Sequence, residues 1–128
     1  MIILLLAAVA MQTPNACKTA MDQATINQCA RREYEAADFQ MNRAWRVLVR
    51  ETQSFDRGIR RNGGGKVTYP ALLAAQRNWM KFRDSQCEAE ANQYLGGSMA
   101  PGVENTCLAR VTGVRTKELT SMTANYRQ

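Results

Sequence analysis

From Met21 to Phe55 the chain runs without a single proline or glycine. Within that stretch the apolar positions Ile26, Ala30, Tyr34, Ala37, Met41, Trp45, Leu48 and Phe55 follow one another at steps of three, four or seven. That is the spacing of one face of a single long amphipathic helix. A half-buried strand would alternate with period two, and no alternating run long enough for a convincing strand occurs anywhere in the sequence. At 1.5 Å per residue such a helix is roughly 50 Å long, and its apolar stripe has to be covered by the rest of the chain. The fold class that follows is all-α.

The remaining segments read as two further helices and their links. Arg57-Gly58-Ile59-Arg60-Arg61-Asn62-Gly63-Gly64-Gly65-Lys66 is expected to be a loop, because three consecutive glycines cost too much entropy in either regular state. Pro70 suits the first turn of a second helix that runs to about Tyr94 and turns Leu72, Ala75, Trp79 and Phe82 inward. Leu95-Gly96-Gly97-Ser98-Met99-Ala100-Pro101-Gly102 is a second loop rich in turn formers. Asn105 or Thr106 can cap a third helix with Leu108, Val111, Arg115, Leu119 and Met122 inside, and Gly113 weakens it by about 1 kcal/mol without breaking it. The expected architecture is a three-helix bundle with a long first helix, one domain over residues 11–128.

Composition removes many activities. The chain contains no histidine, which excludes imidazole acid–base catalysis, Ser–His and Cys–His nucleophiles and every histidine-containing zinc site. Residues 1–10, Met-Ile-Ile-Leu-Leu-Leu-Ala-Ala-Val-Ala, are uncharged and too short to span a bilayer. Ala8-Val9-Ala10 fits the small-x-small rule of a cleaved signal peptide, although no basic residue follows Met1. A periplasmic or secreted location follows, with no transmembrane segment. Cys17, Cys29, Cys87 and Cys107 then make an even set that reads as two disulfides with three possible pairings. Their spacing favours the local ones, Cys17–Cys29 and Cys87–Cys107. A four-thiolate metal site would want a C-x-x-C pair, and there is none. No metal and no cofactor are expected.

Taken in order, several short stretches resemble the LprI-like lysozyme-inhibitor N-terminal domain family of small exported bacterial proteins. Cys17 and Cys29 frame the start, Tyr34, Asp38 and Asn42 follow on the first helix, and Gln76-Arg77-Asn78-Trp79-Met80-Lys81-Phe82-Arg83-Asp84-Ser85-Gln86-Cys87 is the most specific run. Gly96-Gly97-Ser98, Cys107-Leu108 and Thr112-x-x-Arg115 complete a set that covers Cys17 to Leu119. The resemblance implies a non-enzymatic binding protein that inhibits a lysozyme-type muramidase. Lysozymes of the common animal type are basic, and this chain, with a formal charge of +6, is cationic too, so the two repel at long range. A local acidic patch around Glu33, Glu35 and Asp38, or Asp84, Glu88 and Glu90, would have to offset that repulsion.

Three sets of residues are candidates for a role. Asp38, Arg83 and Arg115 sit at helical phases that place them near the core boundary, where a guanidinium needs a carboxylate, and an internal ion pair is expected. Arg43, Arg46, Arg50, Arg57, Arg60, Arg61 and Lys66 concentrate positive charge in one stretch and could bind an anionic envelope polymer or lipid phosphates. That stretch lacks the interleaved aromatics of a single-strand nucleic-acid platform, so no specific nucleic acid is expected. Lys66 is followed by Val67 rather than Ser or Thr, which excludes a phosphate loop, and Glu88 and Glu90 point apart on a helix, which excludes a glycosidase pair. Finally, Gly96, Gly97 and Ser98 form a narrow loop that could enter a muramidase cleft.

Overall fold

The computed structural model describes residues 14–65 and 67–128; the expected signal segment 1–10 and Lys66 lie outside the described residues. A short helix, α1 (Pro14–Lys18), precedes three long ones, α2 (Gln23–Arg61), α3 (Thr68–Ala91) and α4 (Ala100–Tyr126), with a 3-10 turn at Asn92–Tyr94. Among the described residues there is no strand. The long helix is therefore second in the chain rather than first. It also continues through Arg57, Gly58, Ile59, Arg60 and Arg61, the first half of the stretch expected to be a loop, because the three consecutive glycines follow only after Asn62.

Local chemistry sets these ends. The Asp22 carboxylate caps α2 by accepting the Thr25 N–H at 2.8 Å. At the other end Gly63 takes the left-handed conformation, φ +80°, and the Gly64 N–H returns to the Ile59 carbonyl at 2.9 Å. α4 starts at Ala100 with Pro101 in its first turn, five or six residues before the caps expected at Asn105 or Thr106.

α2 runs up, α3 down and α4 up again, so α2 and α4 are parallel, and they form the most extensive pairing in the molecule. Met41, Leu48, Leu72 and Leu119 make the larger core cluster, and Cys87, Cys107 and Val111 a smaller one; Trp79 packs against both. Leu48 and Leu119 are fully buried, each contributing about 2 kcal/mol. The inner face of α3 is Leu72, Gln76, Trp79, Arg83, Cys87 and Ala91. Ala75 and Phe82, expected inside, are exposed.

Gln76 and Arg83 occupy the positions that Ala75 and Phe82 were assigned, and each is satisfied there. Arg83 Nη1 lies 3.3 Å from Asp38 Oδ1, Arg83 Nε 2.9 Å from Asp84 Oδ1, and Nη1 also reaches the Thr112 hydroxyl at 3.5 Å. The guanidinium is 5.5 Å from the Tyr34 ring centroid and 5.2 Å from that of Trp79. Arg115 does not meet Asp38. It donates to Gln76 Oε1 at 3.0 Å, pairs with Glu118 at 2.8 Å and lies 5.7 Å from the Trp79 ring. One polar layer thus joins all three long helices.

Asp56 provides the cap that Val67 cannot. Its two carboxylate oxygens accept the Thr68 and Tyr69 N–H groups at 2.6 and 2.8 Å, across the loop from α2 to α3. Burial pushes the Asp56 carboxyl up, but the two amides, the Thr68 hydroxyl and Arg60 outweigh it and hold it below the ordinary value of 3.8. A carboxyl held low in the folded state adds stability above its unfolded value and loses it as the pH falls through the folded one. Urea unfolding between about pH 6 and pH 2 should therefore show a loss of stability at the acid end that is smaller in Asp56→Asn.

Candidate functional site

The end of the bundle that carries both disulfides presents the loop Leu95–Met99. Cys17–Cys29 ties α1 to α2, and Cys87–Cys107 ties α3 to α4 at the base of the loop, with Cα atoms 5.7 and 5.4 Å apart. Inside the loop the Leu95 N–H returns to Asn92 and the Gly97 N–H to Tyr94, and Gly96 adopts φ +82°, which only glycine takes without strain. A long-range contact fixes its far side. Asn27 Nδ2 of α2 donates to the Ser98 carbonyl at 2.9 Å, while Gln23 Nε2 holds Asn27 Oδ1 at 2.8 Å. Gly102 makes room for this: a Cβ there would run into the Asn27 carboxamide.

What the tethered loop offers is mostly apolar. Leu95 is 81% exposed, and Tyr94, Met99 and Ile26 of α2 are exposed around it. A groove of about 350 Å³ beside the loop is lined by Ile26, Met99, Val103, Thr106, Glu90 and Arg110, among others. Among the described residues the N–H groups of Gly96 and Ser98 make no hydrogen bond. The loop therefore combines large exposed apolar groups with open amides and is held at both ends.

Charge is distributed unevenly along the bundle. From the Asp38–Arg83–Thr112 layer to the disulfide end there are eight carboxylates against five cations; beyond it the described residues carry three against eleven. Within the disulfide half, Arg83 is consumed by Asp38 and Asp84, Arg31 by Glu35, and Arg110 by Glu90 at 2.9 Å. The Gln86 amide and Arg110 hold the Glu90 carboxyl below its ordinary value, so it stays ionised. Glu33, Glu88, Asp22 and Glu104 are exposed. The basic residues Arg43, Arg46, Arg50, Arg57, Arg60 and Arg61 are all exposed on α2 in the other half.

The sequence singled out the loop glycines and Ser98 but missed Gln23 and Asn27, which hold the loop, and Leu95, its most exposed apolar residue. Asn27 carried no local signal, since its partner lies 71 residues away. All four cysteines are in disulfides, and among the described residues no three Cys, Asp or Glu side chains are grouped as metal ligands.

These features define a class: a disulfide-stapled helical scaffold with a tethered, exposed loop at an acidic end. Comparison with known proteins gives the same kind of molecule a family. The chain belongs to the LprI lysozyme inhibitor family, which matches residues 14–119. It is 38% identical over 107 residues to the Rhizobium meliloti protein R02472, across 80% of this chain and 75% of that protein. It is 29% identical over 103 residues to the Escherichia coli protein YecT, across 77% of this chain and 62% of that protein. Both relatives are named as uncharacterized. No solved structure matches. Family and disulfides fit an extracytoplasmic protein, and among the described residues no helix is long and apolar enough to cross a membrane.

Proposed function

We propose that this chain is an exported, non-enzymatic inhibitor of a lysozyme-type muramidase and that the loop Leu95–Met99 enters or caps the cleft. The observation that carries the reading is the tethered, apolar-tipped loop at the acidic end of a chain from a lysozyme inhibitor family. A muramidase of this kind works with two carboxyl groups flanking the sugar bond, one protonated and one ionised. The open amides of Gly96 and Ser98 suit such acceptors, and Leu95 and Met99 suit the sugar-binding walls. Pre-tethering reduces the entropy lost on docking.

The formal charge of +6 does not decide the encounter. At physiological ionic strength the screening length is about 8 Å, far shorter than α2, so an approaching enzyme responds to the nearer end. That end carries an excess of carboxylates, which favours a basic partner and offsets the repulsion expected from the whole chain.

The test is a lysis assay on cell-wall suspensions with purified muramidases. Wild type should slow lysis saturably. Leu95→Glu with Ser98→Glu sets two carboxylates against those of the cleft, and should raise the inhibition constant at least about thirtyfold, the size of one interface hot spot, with unchanged melting. Equal inhibition by both proteins would remove the loop from the contact.

A further inference from the structure

The structure shows something about the basic row that the sequence does not. Two carboxylates, Glu51 and Asp56, lie within the stretch from Arg43 to Arg61 and would be expected to neutralise part of it. Neither does. Glu51 Oε1 accepts from Arg127 Nε of α4 at 2.8 Å, and Asp56 is taken up by the Thr68 and Tyr69 amides. Arg43, Arg46, Arg50, Arg57 and Arg61 are exposed, and none forms an ion pair with a described residue.

At 100° per residue these five arginines fall on one narrow arc of α2, opposite the buried Met41, Leu48 and Thr52, and span about 27 Å. Phe39 continues the row by one turn. Phe39 is 58% exposed, and the Arg43 guanidinium lies 6.0 Å from its ring centroid.

We propose that this outer face of α2 docks on an anionic phospholipid bilayer. A row of guanidiniums without ion-pair partners on the exposed side of a helix meets many phosphates at once only on an extended surface, and each contact there adds to the attraction. An exposed aromatic in line with the row can enter the interfacial region, as on helices that lie along membranes. A polymer chain recognised one residue at a time would want a groove along the whole row; a cleft of about 330 Å³ reaches Arg57, between Gln53, Asp56, Arg60, Tyr69 and Pro70, while Arg43, Arg46, Arg50 and Arg61 are exposed outside it. Docked this way, the protein keeps the Leu95–Met99 loop at its other, acidic end. The proposal does not depend on muramidase inhibition, and the two can fail separately.

Sedimentation of the full chain with vesicles tests it. At low salt, binding to phosphatidylcholine vesicles containing phosphatidylglycerol should exceed binding to pure phosphatidylcholine at least about tenfold, and should fall as salt is added. The variant Arg46→Gln, Arg50→Gln, Arg57→Gln should lose at least about tenfold of that binding with unchanged melting and unchanged muramidase inhibition. Phe39→Ala should weaken vesicle binding while leaving binding to soluble polyphosphate unchanged. Absence of binding to the anionic vesicles, or undiminished binding by the triple variant, would overturn the proposal. Polyphosphate binding as tight as vesicle binding, with no effect of Phe39→Ala, would replace the bilayer by a soluble polyanion.

Discussion

Replacing Cys87 and Cys107 together by serine should lower the stability of the folded chain by about 3 kcal/mol. The bridge closes a loop whose ends are 20 residues apart in sequence, and the chain-entropy model assigns about that much to a loop of this length. One further effect acts in the same direction. Cys87 is completely buried and Cys107 nearly so, and both belong to the smaller core cluster with Val111, Leu108 and Trp79. Serine hydroxyls in that position need partners the cluster does not offer. The bridge also fixes the base of the contact loop, so the variant should lose inhibition as well as stability. Thermal and urea unfolding of the oxidised wild type and the double variant measure the first effect. A loss under about 1 kcal/mol would mean that packing alone holds α3 to α4.

The second large effect is at Arg83, and it differs between the partners of the same ion pair. Arg83→Ala removes the group that joins Asp38, Asp84, Thr112, Tyr34 and Trp79, and should cost about 3 kcal/mol, mostly as lost packing and stacking in a buried layer. The stranded carboxylates soften the loss, because the Asp38 side chain is 37% exposed and that of Asp84 is 61% exposed. Asp38→Ala should cost about 1 kcal/mol. Stranding a buried cation outright would cost several times more, but Arg83 retains Asp84 at 2.9 Å and the two rings. Unfolding of both single variants and the double variant gives the coupling between the two residues. Equal losses for the two single variants would show that Asp84 does not compensate.

This difference also marks where the sequence could be read and where it could not. α2 was legible because its central buried residues, Ala30, Met41 and Leu48, are apolar and recur at helical spacing, although Ile26 and Phe55 of the same stripe are exposed and the buried face ends on Thr52 and Asp56. α3 was legible as a helix but not in its orientation. Its inner positions Gln76 and Arg83 are polar, so the apolar residues alone point to a face rotated onto Ala75 and Phe82. The steps from Leu72 to Gln76, Trp79, Arg83 and Cys87 are four, three, four and four, a helical stripe that appears once polar residues are allowed in the core.

The helix ends were misread for a related reason. The glycines at 63–65 are real punctuation, but the turn begins only after Arg61, and Pro101 starts α4 rather than closing the loop before it. Caps supplied from another helix, as Asp56 supplies α3, leave no mark in the local sequence. The loop glycines and Ser98 were visible as turn chemistry. The anchor at Asn27 depends on helix packing, and the acidic end depends on which arginines are already paired. Neither can be derived from spacing.

Hydrogen exchange on a saturated mixture of this chain with a muramidase that it inhibits tests the central claim most directly. The account predicts new protection at the amides of residues 94–103 and at the N-terminal turns of α2 around Gln23 and Asn27, with the α2 face from Arg43 to Arg61 unchanged. Protection confined to that arginine face, with the Leu95–Met99 loop exchanging as in the unbound protein, would contradict it.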